Sequence, residues 1–300
     1  MKYTLKTHSK KILADTITPV SVYLRLRDRF PNSLLLESSD YRANDNTFSY
    51  ICCKPIASIT VKDEIITESF PDGKTTTTSI DSTTDVVGII EAFAKKFETE
   101  DNDKKFIQNG LFGYMSYDAV RYFDDIEITK KEGALEVPDF YYAVYQNIIA
   151  INHFNNEAYI FSHTYKEENN LSEIAQLLTV KSFAEYHFKL EGAQQSQMSD
   201  EAFMDLVKTC KKHCQRGDVF QIVPSKRFSQ NFSGDEFNVY RSLRSVNPSP
   251  YLFFFDYGNF KIFGSSPEAQ LIVKEGKAEI HPIAGTFKRT GNDEKDAVLA

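Results

Sequence analysis

The chain has 300 residues, 41% of them hydrophobic, and a formal net charge of -7 at pH 7. This content suffices for a large core in one domain or two, and the acidic balance argues against a general binder of nucleic acid or membrane surfaces. No apolar run is long enough to span a bilayer, and no signal-peptide core follows Met1. Composition therefore predicts a cytoplasmic protein whose partners include no nucleic acid and no membrane.

The four cysteines indicate neither a disulfide nor a metal centre. Cys52 and Cys53 are adjacent, which disfavours a bridge between them, and Cys210 and Cys214 lie four apart beside His213. A metal centre needs further ligands in register, and none occurs nearby in the sequence. Glycine-rich dinucleotide and phosphate-loop motifs are also absent from the sequence. The cysteines are expected to be small apolar residues of a protein in a reducing compartment.

The first half of the chain reads as mixed helix and strand. A helix is predicted over 20–30, and a second one from the apolar face between Val86 and Phe97, with Asp81 or Ser82 as its cap. Strands, identified by their β-branched and aromatic residues, are predicted at 33–38, 48–61 with an interruption at Pro55, 110–114 and 141–151, with an edge strand or loop at 74–79.

A polar stretch from Lys189 to Met198 is predicted to be a linker between two domains, 1–190 and 198–300. Ser199 then caps a helix that ends at Gly217. The elements predicted beyond it are a strand at 219–223, a helix at 235–246, strands at 251–256, 260–263, 269–274 and 278–281, and a helix opening at 293. Ala300 stands inside that last helix, so the sequence either ends in a disordered tail or is a fragment cut within an element.

Two segments of small residues near the C-terminus have the character of a site for a small anion. Gly264–Glu268 delivers one carboxylate after an apolar strand, and Pro282–Thr286 is a tight turn that offers backbone N–H groups and a hydroxyl. Small residues allow a ligand to approach the backbone closely. The first segment alone is equally a helix start or a surface turn, but the order and spacing of the two form a specific pattern.

Together with Gly217–Val223 and Asn247–Tyr251, these segments resemble the first part of the catalytic domain of the chorismate-utilising enzymes, over Ser199–Ala300. The N-terminal half is similar, more weakly, to the large subunits of anthranilate synthases through Leu35–Ser38. The resemblance implies an α+β fold of two antiparallel β-sheets packed face to face with helices outside, incomplete at the C-terminus.

The resemblance also implies roles for single residues. Glu268 occupies the general-acid position, where apolar surroundings keep a carboxylic acid protonated so that it can donate to the departing hydroxyl of chorismate. Gln221 stands where water-adding members carry a lysine, and a glutamine takes up no proton at neutral pH. Ala284, beside Gly285 and Thr286 in the implied chorismate site, stands where aminodeoxychorismate synthases often carry a nucleophilic lysine.

With neither lysine present, ammonia from outside is the expected nucleophile and anthranilate the expected product. The resemblance implies a glutamine amidotransferase partner that supplies the ammonia, and Mg²⁺ with ligands expected beyond Ala300, so this chain alone is expected to make no anthranilate. Two alternatives stay open. One is the large subunit of an aminodeoxychorismate synthase that lacks the lysine, and the other is a tryptophan-binding module without catalysis.

A feedback site for L-tryptophan is the last implication of the resemblance. In the family a strand end and an Asn-Pro-Ser-Pro-Tyr segment form this site, and a glutamate there can hold the ammonium of the amino acid. Alone, the first motif is far more often just a strand end. The matching residues are Leu36, Glu37, Ser38, Asn247, Pro248, Pro250, Tyr251 and Leu252.

Overall fold

The structure, a computed structural model, describes residues 1–38, 47–100, 104, 106–128, 135–282 and 288–299. The α-helices of these residues are α1 (Pro19–Leu26), α2 (Val86–Ala94), α3 (Leu171–Thr179), α4 (Asp200–Arg216), α5 (Phe237–Val246) and α6 (Asp293–Leu299). A 3-10 helix covers Tyr117–Tyr122. The strands are β1 (Tyr3–Leu13), β2 (Leu34–Ser38), β3 (Phe48–Lys62), β4 (Ile65–Ser69), β5 (Thr75–Ser79), β6 (Phe97–Thr99), β7 (Phe112–Met115), β8 (Phe140–Asn152), β9 (Glu157–Thr164), β10 (Phe188–Ser196), β11 (Phe228–Gly234), β12 (Tyr251–Asp256), β13 (Lys261–Ser266), β14 (Ile272–Lys274) and β15 (Lys277–Glu279).

The chain divides into two compact units. Its separate helices and mainly antiparallel strands confirm the α+β class. The larger unit contains Met1–Ala184 and Ser242–Ala300, and the smaller one contains Glu185–Arg241. These bounds differ from the predicted domains, 1–190 and 198–300, because β12 and β13 join the sheet built by the first half of the chain. A division into regulatory and catalytic domains remains a prediction.

The larger unit is built on one extensive sheet. Within the described residues its strand order is β13-β12-β2-β3-β8-β9-β1-β6, with β4 and β7 paired to β3 and β8, and β5 paired to β4. Its pairs are antiparallel except β1 with β6. Strand β8 is buried along almost its whole length, as the aromatic and β-branched run over 141–151 predicts for a central strand. Strand β3 stays continuous through Pro55, where its register with β8 shifts.

Helix α1 packs on the face of this sheet that carries Phe254. Thr18 and Ser21 form a reciprocal capping box, with Pro19 in the first turn. The Tyr23 ring meets Phe254 edge-on at a centroid distance of 5.6 Å, and both side chains are buried. The helix is shorter than the predicted 20–30 and ends at Leu26.

The cap of helix α2 differs from the prediction. Asp85, and neither Asp81 nor Ser82, accepts the hydrogen bond from the Gly88 N–H at 2.8 Å. The helix ends at Ala94, and Phe97 belongs instead to β6, so its place on the helical face was wrong. Phe97 still packs on the same core, because its ring lies 5.1 Å from that of Phe93.

We expect Asp85→Ala to lower the free energy of unfolding by about 1 kcal/mol, because the first-turn N–H of α2 loses its acceptor. Denaturant unfolding followed by circular dichroism measures the effect. Ser82→Ala, which removes one of the two cap residues predicted from the sequence, is the matched control and should leave the unfolding free energy unchanged. Equal losses in the two variants would contradict the assignment of the cap to Asp85.

His163 is a buried, neutral histidine between β1 and the segment before β7. Its Nε2–H donates to the carbonyl oxygen of Gln108 at 2.8 Å, and its Nδ1 accepts from the Thr7 hydroxyl at 3.0 Å. Burial lowers the pKa of His163 below its ordinary value, against the smaller opposite effect of the Gln108 bond. Just below the ordinary histidine pKa, the unfolded chain therefore binds a proton at His163 that the folded chain does not bind.

This proton uptake makes stability depend on pH. The contribution of His163 is present above the ordinary histidine pKa of about 6.5 and is lost as the pH falls below it. We expect the free energy of unfolding to decrease from pH 7 towards pH 5, and His163→Gln, which keeps one donor and one acceptor, to flatten that slope. Denaturant titrations at several pH values measure it. Parallel slopes for the two proteins would show that His163 does not carry the dependence.

The smaller unit pairs β10 with β11 and contains helix α4. The segment predicted as a linker, Lys189 to Met198, is therefore largely a strand, and that prediction was wrong. The predicted strand at 219–223 was also wrong, since these residues have no regular secondary structure. Helix α4 follows the prediction: Ser199 accepts from the Ala202 N–H at 3.2 Å, and Gly217 ends the helix with a left-handed φ of 78°.

The end of the described chain carries short elements. Strands β14 and β15 form a two-stranded sheet that turns at Glu275 and Gly276, both with positive φ. Helix α6 begins at Asp293, as the sequence predicts. Across the described ranges, no helix combines the length and the apolar character that crossing a bilayer requires.

Candidate functional site

The proposed general acid, Glu268, lies two residues beyond the end of β13. Ser266 stabilises the turn: its Oγ donates to the Glu268 carbonyl oxygen at 3.3 Å and lies 3.4 Å from the Glu268 N–H. The Glu268 residue is exposed. The apolar enclosure that the sequence led us to expect around it is therefore not formed by the part of the chain that the structure describes.

Gly264, in the same motif, is explained by packing on the neighbouring strand. It lies opposite Phe253 in the β12–β13 ladder. A Cβ at this position would lie 2.8 Å from Cζ of the Phe253 ring, too close for any real side chain. Glycine at this position thus leaves room for the ring of Phe253.

The other proposed chorismate contacts are placed only in part. Gln221 belongs to the irregular segment of the smaller unit and is exposed. Ala284, Gly285 and Thr286 lie outside the described residues. The roles of these four residues stay predictions.

The structure brings the two proposed tryptophan-site motifs together as neighbouring strands of one sheet. β2 and β12 pair antiparallel, with Ser38 opposite Tyr251 and Glu37 opposite Leu252. One motif comes from the predicted N-terminal region and the other from the predicted catalytic region. Their contact follows from direct strand pairing, which the sequence alone did not predict.

The alternation of the strands divides these residues between the two faces of the sheet. Paired residues share a face and neighbours in sequence point to opposite faces. Glu37 and Leu252 therefore lie on one face, while Ser38 and Tyr251 lie on the other. Since Ser38 ends β2 and Tyr251 begins β12, a ligand at this end of the strand pair can reach both faces.

Glu37 is a buried carboxylate with a cationic partner. Its side chain is 2% exposed, and its Oε2 accepts from Nε of Arg244 at 3.1 Å. Arg244 stands in the last turn of α5, three residues before Asn247, and its side chain is 45% exposed. A buried carboxylate without such a partner would be strongly unfavourable.

A series of hydrogen-bonded polar groups lies beside this ion pair. The Ser38 N–H donates to Ser49 Oγ at 3.3 Å, and Ser49 Oγ lies 2.7 Å from Nε2 of His153. Burial, and then the positive charge of Arg244, lower the pKa of His153. The imidazole is thus neutral at neutral pH and adds no second cation beside Arg244.

Sequence reasoning missed Arg244, Ser49 and His153. A signal for Arg244 existed: Glu37 follows three leucines in a predicted strand, where a carboxylate needs a cation, and Arg244 lies three residues before the second motif at a helix end. Nothing in the local sequence pointed to Ser49 or His153. Their contacts depend on the pairing of β2, β3 and β8.

Magnesium is the metal that the resemblance implies. Among the described residues, no group of three or more histidine, cysteine, aspartate or glutamate side chains is arranged to hold a metal ion. The described residues therefore do not fit the ion.

Comparison with known proteins identifies the family of this chain. The model of the family described as chorismate binding enzyme matches residues 31–300, which include both strands of the proposed tryptophan site and Glu268. The chain belongs to the chorismate-binding enzymes.

Its relatives within the family include two kinds of synthase. It is 32% identical over 309 residues to anthranilate synthase component 1 of Lactococcus lactis subsp. lactis (strain IL1403), covering 97% of the chain and 63% of the relative. With anthranilate synthase component 1 of Saccharomyces cerevisiae the identity is 32% over 309 residues, with 95% and 58% covered. With aminodeoxychorismate synthase component 1 of Bacillus subtilis (strain 168) it is 30% over 302 residues, with 97% and 62% covered. The chain thus spans about three fifths of the length of these relatives.

The fold has a counterpart among solved structures. It is similar to the crystal structure of anthranilate synthase component I from Streptococcus pneumoniae TIGR4, with a TM-score of 0.57 and 22% sequence identity. The match covers 90% of this chain and 60% of that chain. At this level of identity the similarity establishes the fold alone.

Proposed function

We propose that the chain belongs to the large subunit of an anthranilate synthase, which makes anthranilate and pyruvate from chorismate and ammonia and is inhibited by L-tryptophan. The observation that carries the proposal is the pairing of β2 with β12, which places Glu37 and Ser38 beside Tyr251 and Leu252. An inhibitory site for the end product is expected of an enzyme of tryptophan biosynthesis. Relatives called anthranilate synthase component 1 support the same assignment.

The proposed chemistry needs an acid and an external nucleophile. Glu268 donates a proton to the C4 hydroxyl of chorismate, which leaves as water while ammonia adds at C2 of the ring. The C2 proton is then lost, the C3–O bond breaks, and the released enolpyruvyl group takes up a proton on its methylene carbon to become pyruvate, which leaves the aromatic product. Gln221 and Ala284 supply neither a base for water nor an amine for a covalent adduct, so ammonia is left as the nucleophile.

The proposal also includes a partner subunit that supplies ammonia, a Mg²⁺ ion and a cytoplasmic location. A glutamine amidotransferase subunit supplies ammonia from glutamine. Mg²⁺, the metal that the resemblance implies, would supply positive charge against the two carboxylates of chorismate. The cysteines of the described chain are free, three of them buried, which fits the reducing cytoplasm.

The large subunit of an aminodeoxychorismate synthase is the second candidate, favoured by the similarity to the Bacillus subtilis protein of that name. Pyruvate release separates the two, because amination without elimination keeps the enolpyruvyl group. The third candidate, a tryptophan-binding module without catalysis, is favoured by the exposure of Glu268.

One assay on the full-length protein decides among the three. With chorismate, Mg²⁺ and ammonium, we expect fluorescent anthranilate and an equal amount of pyruvate, measured with lactate dehydrogenase. Consumption of chorismate without pyruvate would support the aminodeoxychorismate synthase. No consumption together with calorimetric binding of L-tryptophan would support the binding module.

A further inference from the structure

The ion pair of Glu37 and Arg244 is asymmetric in its access to solvent. The carboxylate is almost fully buried, whereas the guanidinium that covers it is nearly half exposed. Arginine carries five N–H donors in a fork that suits carboxylates. The recorded bond to Glu37 uses the donor on Nε. The guanidinium is therefore both the partner of a buried anion and accessible to a second anion from solvent.

Ser49 and His153, which lie beside this pair, add no charge at neutral pH. His153 is close enough for Arg244 to lower its pKa, and burial acts in the same direction, so the imidazole is neutral at neutral pH. Ser49, which contacts His153, is also uncharged. Glu37 and Arg244 thus present one anion and one cation beside the neutral side chains of Ser49 and His153. An amino acid at neutral pH likewise carries one cation and one anion.

We infer that Arg244 binds the α-carboxylate of the regulatory amino acid while Glu37 binds its α-ammonium, an assignment that rests on the proposed tryptophan site. The ligand enters at the ion pair and replaces one salt bridge by two. If only an ammonium entered, it would displace the guanidinium from Glu37 and leave that cation without its anion. The α-carboxylate of the same ligand supplies the replacement, which makes Arg244 a specificity-determining residue for amino acids over amines.

Removing the carboxylate of the ligand tests this inference. Binding of L-tryptophan and of tryptamine, which lacks the carboxylate, is measured by calorimetry on the 300-residue chain and on Arg244→Met. In the unchanged chain we expect tryptophan to bind at least about 10-fold more tightly, as for a charged hydrogen bond of about 1.5 kcal/mol. In Arg244→Met that preference should fall to about 2-fold or less.

Two further variants make the result specific. Arg241→Met removes the same charge from α5, where Arg241 donates to Asn238 at 3.0 Å, and should keep the preference. Arg244→Lys retains a cation and should restore several-fold preference, which also guards against a folding defect in Arg244→Met, monitored by circular dichroism.

The outcomes separate this inference from the proposed function. If tryptophan binds and Arg244→Met retains the full preference over tryptamine, the role of Arg244 is overturned and the tryptophan site stands. If the unchanged chain and the full-length protein bind neither compound, the tryptophan site itself fails. Loss of the preference in Arg244→Met, with its partial return in Arg244→Lys, supports the inference.

Discussion

Replacing Glu268 by glutamine should reduce kcat by two to four orders of magnitude in the full-length protein, about the contribution of general acid catalysis. The amide keeps the size and the hydrogen-bonding reach of the side chain but has no proton to give to the departing hydroxyl. Steady-state kinetics with chorismate, ammonium and Mg²⁺ measure the effect. Because the loss is in the proton transfer, KM for chorismate should change far less than kcat.

Glu279→Gln is the matched control, because Glu279 is an exposed glutamate on β15 and carries no proposed role. It should leave both kcat and KM close to their original values. Near-normal turnover in Glu268→Gln would mean that another group is the acid. That outcome would also fit the exposure of Glu268 among the described residues, where an apolar enclosure was expected.

Loss of feedback inhibition is the second large effect that we expect. Ser38→Ala removes a hydroxyl at the end of β2 and should raise the inhibition constant for L-tryptophan by about 2- to 10-fold, as for one hydrogen bond of 0.5–1.5 kcal/mol. Pro250→Ala should act in the same direction, because it loosens the segment that leads into β12. Inhibition curves at fixed chorismate, on the full-length protein, measure both shifts.

The expected signature is a change in inhibition that exceeds any change in kcat/KM for chorismate. A ligand inhibits through its differential affinity for two arrangements of the protein, so weaker contacts lower inhibition without touching the chemistry. Ser79→Ala, on the exposed strand β5, is the control and should leave the inhibition curve in place. If Ser38 and Pro250 merely end and start strands, stability and activity will fall together while the sensitivity to tryptophan persists.

Much of the local structure followed from local sequence. Ser199 and Gly217 bound α4 as their types predict, since a hydroxyl satisfies a first-turn N–H and glycine adopts the left-handed conformation without strain. The strands predicted at 251–256 and 260–263 likewise pair as the β12–β13 hairpin. In these elements the interactions that decide the conformation lie within a few residues of each other.

Errors occurred where distant residues decided the conformation. The polar stretch from Lys189 to Met198 reads as a linker, yet most of it forms β10 because β11 offers its backbone as a partner. Phe97 fits the apolar face of α2, yet it lies in β6 because β1 pairs with it. Strand pairing satisfies the backbone N–H and C=O groups of polar and apolar residues alike. The composition of a segment therefore does not predict whether it pairs with a distant strand.

The same division holds for the candidate site. The family and the two motifs can be identified from the sequence, because each motif is a short contiguous segment; the roles of Glu37 and Glu268 stay predictions. The tertiary structure was needed to show that β2 lies beside β12, which side chains share a face, and that Arg244 reaches Glu37 across 207 positions of sequence. A buried charge needs its counter-ion in space and not in sequence, so the partner becomes evident only once the strands and α5 are in place.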